Sequence, residues 1–132
     1  ETVTNDFLSE LEKAANGSKV KNAQDAIMAM GERYILFFRN NPDYFNFLFH
    51  KQKPEVHTDM SKDYPNDYAP FLMFKRYLNK YFEESGIRLS AKEKEISLIK
   101  TWGLVQGLSS IAGMENVNAT ISWKVLAKEC LK

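Results

Sequence analysis

At 132 residues, with 18 basic and 17 acidic side chains for a net charge of +1, the chain has the length of one domain and lacks the basic surplus of a nucleic-acid-binding face. Its single cysteine, Cys130, excludes an internal disulfide framework and fits a reducing, cytoplasmic compartment. No apolar run approaches a membrane span and no signal-like segment opens the chain, so no membrane partner is expected.

Residues 1–132 read as a single all-α domain of about six helices. The first, Asp6 to Ala15, places Phe7, Leu8 and Leu11 at helical spacing and stops at Asn16-Gly17. After a short polar linker, Asn22 has the chemistry of an N-cap, with Asp25 near the positive end of the helix dipole. The helix it starts, Ala23 to Arg39, is apolar enough to cross the middle of the fold. Asn40-Asn41-Pro42 then breaks and restarts the chain, with Asn41 available as a cap, and a short aromatic helix runs from Asp43 to His50. The segment Lys51 to Pro65 is polar and proline-interrupted and reads as a mobile connection. Asn66 and Asp67 offer caps for a helix from Tyr68 to Ser85, closed by Gly86. Ser90-Ala91-Lys92-Glu93 is a capping box for a long helix over Ala91 to Met114, and a turn leads to a last helix, Ala119 to Leu131.

The long penultimate helix carries the most unusual stretch, Lys100 to Gly113. Gly103 and Gly107 each cost roughly 1 kcal/mol against Ala inside a helix, yet the apolar pattern runs through both, which predicts close helix contact there. At about 100° per residue Ile99, Trp102 and Gln106 share one face, with the small-residue groove Gly103, Gly107 and Ser110 beside it. A helix apolar nearly all round predicts burial on every side, one of those sides against a second copy of the chain.

Catalytic and metal signatures are not found: the chain has no P-loop, no dinucleotide-binding glycine pattern, no paired-cysteine zinc spacing and no HExxH. Cys130 lies on an apolar helical pattern and reads as a packing thiol. Glu55, His57 and Asp59 could be drawn as a metal site, but such loop clusters arise often by chance, and neither a metal nor a cofactor is expected. Asn16-Gly17-Ser18 and Asn118-Ala119-Thr120 match a glycosylation acceptor pattern that has no meaning in a cytoplasmic chain. Scattered tyrosines and two histidines supply no titratable cluster, so the chain reads as non-enzymatic.

What remains is ring surface: nine Phe, six Tyr and two Trp, more than a small core needs. Met30, Tyr34, Phe38, Phe49, Phe74, Tyr77, Trp102 and Gln106 combine apolar walls with a few hydrogen-bonding groups, the composition of a small-molecule pocket. A cavity bounded by Tyr34, Phe74 and Trp102 is the expectation.

Tyr34 to Tyr44, YILFFRNNPDY, followed by Trp102-Gly-Leu-Val-Gln-Gly107, resembles the C-terminal regulatory domain of TetR-family transcriptional regulators. More narrowly it resembles a branch whose signature is a Trp with a His-Gly pair four residues on; here Gln106 stands in the place of that His. The resemblance covers most of Ala23 to Leu131 and implies an effector-sensing, dimerising domain of a bacterial regulator. Its helix-turn-helix DNA-binding domain would lie N-terminal to this chain and supply the contact with operator DNA. It further implies a homodimer in which the last two helices of each subunit form a four-helix bundle, with Gly103, Leu104, Gly107, Leu108, Ile111, Ile121 and Val125 at the contact. Trp102 and Gln106 would look toward an apolar or amphipathic effector, and Phe7 and Leu11, on the helix joining sensor to reader, would transmit its effect. A stand-alone helical carrier of small molecules or lipids is the alternative compatible with the same pocket.

Overall fold

The computed structural model describes residues 2–132, and the side chains of residues 6–132. Among them there are six α-helices and no strand: α1 (Thr2–Ala15), α2 (Ala23–Asn40), α3 (Pro42–Asn46), α4 (Ala69–Ser85), α5 (Ala91–Ala112) and α6 (Trp123–Cys130). None of these helices is long and apolar enough to cross a membrane.

The middle position belongs to α2, which packs against α1, α4, α5 and α6. Its buried residues Ala23, Ala26, Met30, Gly31, Tyr34, Ile35 and Phe38 recur at three- and four-residue steps, so two adjoining stripes of the helix are covered. The start is fixed as the sequence predicts, the Asn22 side chain accepting the Asp25 N–H at 2.8 Å. A second acceptor, this one an anion, comes from α4, whose Glu84 carboxylate accepts the Ala23 N–H at 2.8 Å. Antiparallel to α2 runs α1, with Phe7, Leu11 and Ala15 buried on one face. Phe7 stacks on Phe37 at 3.9 Å between ring centroids.

Asn41 does not cap α3. Its side-chain amide turns back and donates to the Phe37 carbonyl at 2.8 Å, closing α2 instead. The short helix expected to reach His50 is α-helical only to Asn46, then widens into a π-helical turn, Phe47–Gln52, that ends at Lys53 in the left-handed region with φ of 49°.

The connection between Lys53 and Tyr68 is strapped to α4 and α5 rather than free. Lys75, a fully buried cation on α4, donates from Nζ to the carbonyls of His57 at 3.1 Å and Lys62 at 2.8 Å. The Tyr64 and Phe71 rings lie 5.5 and 5.9 Å from the same nitrogen, so carbonyl dipoles and ring faces replace the water that the charge has lost. Asn79 donates to the Met60 carbonyl at 3.1 Å, and Thr58 to Glu95 of α5. Asp67, expected to cap α4, is committed to the strap: its carboxylate accepts the His57 N–H at 2.8 Å and lies 2.7 Å from His57 Nδ1. The N-cap of α4 is Tyr68, with no side-chain cap bond, and the helix closes at Gly86 with φ of 70°.

Both bonds of the Ser90–Glu93 capping box are present at the start of α5. Its C-terminal end butts against the α2–α3 corner, where a Cβ on Gly113 would stand 3.0 Å from Pro42 Cβ. α6 is shorter than expected. Ser122 caps it, leaving Ile121 in the preceding loop and Cys130 exposed rather than packed. It lies along α2, and Leu131 just beyond it reaches Gly31, as does Val105 of α5.

Candidate ligand site

The i, i+4, i+8 spacing of Met30, Tyr34 and Phe38 puts all three on the buried side of α2. There they meet Phe74 from α4 and Trp102 and Gln106 from α5. The Tyr34 ring lies 4.9 Å from Phe38, 5.4 Å from Trp102 and 6.0 Å from Phe74, all edge to face. Phe49, delivered by the π-helical turn, packs 6.0 Å from Phe38. Tyr77 is half-buried at the margin of the cluster. The predicted set is therefore brought together in space, with Met30 and Tyr77 at its edges.

The cavity expected between Tyr34, Phe74 and Trp102 is filled by the rings themselves, Phe74 and Trp102 standing 5.5 Å apart. Edge-to-face packing is favourable in its own right, and the flat faces that would line a pocket satisfy one another instead.

One polar spot lies inside this apolar cluster. Tyr34 donates its hydroxyl to Gln106 Oε1 at 2.6 Å, and the Tyr68 hydroxyl stands 3.4 Å from that of Tyr34. Burial first, and then the neighbouring Tyr68, push the Tyr34 phenol well above its ordinary value; burial does the same to Tyr68. Both stay protonated at neutral pH. The gathered groups can offer ring contacts and neutral hydrogen bonds, but no proton transfer or charge pairing. Tyr68 was not among the predicted residues, although a signal existed: Tyr68, Phe71, Phe74 and Leu78 follow one another at three- and four-residue steps.

The other face of α5 behaves differently. Leu98, Val105, Ser109 and Ala112 are buried, while Ile96, Ile99, Leu104 and Ile111 on the opposite side are each 41 to 53 % exposed. The helix is therefore not buried all round. Ile99 departs from its predicted company because it sits about 60° beyond Trp102 in the outward direction. Gly103 and Gly107 lie on this outward side, where an added Cβ would meet nothing within 4 Å. Of the remaining predicted contact residues Leu108 is half-buried, and Ile121 and Val125 are about half exposed. The close helix contact expected of a glycine occurs within the chain at Gly31, where a Cβ would stand 2.8 Å from Leu131 Cδ1.

Glu55, His57 and Asp59 do not converge as a ligand set. His57 Nδ1 faces Asp67, its ring stacks on Tyr64 at 3.8 Å, and the Asp59 carboxylate accepts from Ser61 at 2.6 Å. No protein-family model, curated protein sequence or solved structure matches the chain.

Proposed function

We propose that the chain is the effector-sensing and dimerisation domain of a bacterial TetR-type transcriptional regulator, acting in the cytoplasm without catalysis. The observation that carries this reading is the outward side of α5. Ile96, Ile99, Leu104 and Ile111 are exposed there in one stripe, and the two glycines among them are unopposed by any neighbour. An apolar stripe of this kind on a soluble domain marks an interaction surface, and small residues within it permit two helices to approach closely. A second copy related by a two-fold axis would meet the stripe with itself. The Tyr34–Gln106 pair supports the sensing half of the reading, as a polar contact set in rings between the helices that an effector would move.

An apolar or amphipathic effector binding among α2, α4 and α5 would shift those helices against the dimer contact. Phe7, stacked on Phe37 and 5.4 Å from the Tyr34 ring, would carry the shift into α1, which in this scheme leads to the DNA-reading head. The energetic demand is modest: a 100-fold preference for one state supplies about 2.7 kcal/mol.

Sedimentation of the chain at rising concentration tests the dimer. Wild type is expected to dimerise and Leu104→Glu to remain monomeric with an unchanged helical spectrum. Operator binding by the protein carrying its N-terminal head tests the rest. If no compound that stabilises this domain alters that binding, the sensing role is wrong.

A further inference from the structure

A groove that the ring cluster does not use lies between α2, α4 and the middle of α5. It measures about 220 Å³ and its walls are Ile27, Met28, Leu78, Val105 and Leu131. The groove is open to solvent on one side, where Gln24 and Leu104 are exposed, with an apolar floor formed by the helices. Leu131 is seated as its wall because Gly31 has no side chain: a Cβ there would stand 2.8 Å from Leu131 Cδ1.

Of the remaining lining residues Leu104 is apolar, while Gln24, Tyr81, Ser97 and Thr101 add hydrogen-bonding groups but no charge. Thr101 donates its hydroxyl to the Ser97 carbonyl at 2.9 Å and keeps its oxygen lone pairs as acceptors. The Gln24 amide and the Tyr81 and Ser97 hydroxyls have no hydrogen-bond partner among the described residues. A charged guest buried against this lining would find no counter-charge. A guest with one hydroxyl or carbonyl would find both donors and acceptors. Size narrows the class further, because an apolar cavity of about 150 Å³ takes benzene.

We propose that this groove binds a neutral, mostly apolar molecule about the size of two fused rings, carrying one hydroxyl or carbonyl group. Leu104 belongs both to the lining and to the exposed stripe of α5, so the guest touches the surface assigned above to the second copy. That link to assembly rests on the regulator reading; the site itself does not.

The test titrates 2-naphthol into the chain, followed by equilibrium dialysis and by backbone-amide chemical shifts. Shifts are expected at Ile27, Leu78 and Thr101, with 2-naphthoate binding at least about ten-fold more weakly because its carboxylate has no partner. Ser97→Phe, which fills the space, should weaken 2-naphthol at least about ten-fold. Thr101→Val keeps the shape and removes the hydroxyl, so it should weaken 2-naphthol about five-fold and leave naphthalene unchanged. Equal affinity for the naphthoate, shifts centred on Trp102 and Tyr34, loss of the site to self-association, or indifference to both substitutions would each overturn the proposal. A chain that stays monomeric yet binds 2-naphthol here would sink the regulator reading and leave this site standing. A dimer that ignores 2-naphthol would do the reverse.

Discussion

Tyr34 is the residue on which most of the interior converges: four aromatic neighbours lie against its ring and its hydroxyl is held by Gln106. Tyr34→Phe keeps the ring contacts and leaves the Gln106 carbonyl without its donor, which should cost about 1–3 kcal/mol in urea unfolding at pH 7. The same residue fixes a pH dependence. Tyr34 and Tyr68 hold their protons more tightly in the folded chain than in the unfolded one. Their contribution to stability is therefore complete below the ordinary tyrosine value of 10.0 and is lost as pH rises above it. Each phenol should steepen the fall by about 1.4 kcal/mol per pH unit, and urea unfolding from pH 9 to 11.5 should show a shallower fall in Tyr34→Phe. Equal slopes for the two proteins would mean that these phenols are not the buried, neutral groups described here. Much of this site was legible in the sequence, because Tyr34, Trp102 and Gln106 are polar-tipped residues on otherwise apolar helix faces. Whether the rings enclose a space or fill it was not, since that depends on rotamers and on Phe49, which comes from a segment with no long periodic signal.

Helix ends were the most readable elements, and the strap over α4 the least. Asn22, Gly86 and the Ser90–Glu93 box act within a few residues, so their chemistry is written locally. Ser90→Ala should cost about 1 kcal/mol in thermal or urea unfolding, with the loss confined to the first turn of α5. The strap is held by partners far along the chain: Lys75 lies 18 residues from His57 and Asn79 lies 19 from Met60. A polar, proline-interrupted segment gives no sign of such anchors, and a lysine in the middle of a helix reads as a solvated one. Asp67 misled for a related reason, since a carboxylate just before a helix is a cap unless a tertiary partner takes it, and here the His57 backbone and ring do. Lys75→Met keeps the approximate length of the side chain, removes its two hydrogen bonds and also removes the cost of burying a charge. The orphaned carbonyls outweigh that relief, so a net loss of about 2 kcal/mol is expected. Limited trypsin digestion localises the effect: cleavage at Lys62 should become faster in the variant than in wild type, and an unchanged rate would mean that other contacts hold the strap closed.

For the molecule as a whole, the two glycines of α5 separate a lone domain from an assembled one. Neither Gly103 nor Gly107 is opposed by any atom of its own chain within 4 Å of an added Cβ. If the chain acts alone, each is simply a weak point in a helix, and replacing it with Ala should stabilise the fold by about 1 kcal/mol. If two copies pack along the stripe of Ile96, Ile99, Leu104 and Ile111, the missing side chains are what lets the helices approach, and each methyl would enter the partner's space. Gly103→Ala together with Gly107→Ala should then raise stability at concentrations where the chain is monomeric and weaken the dimer by at least about ten-fold, the size of a small overpacking penalty. Unfolding at low concentration and sedimentation at high concentration read the two effects separately. Stabilisation with no change in assembly would place the contact elsewhere, on Leu108 or on Val125 of α6 and Ile121 just before it. Destabilisation at low concentration would contradict the open surroundings of both glycines. The sign of the first measurement therefore tests the fold of one chain, and the sign of the second tests what that fold is for.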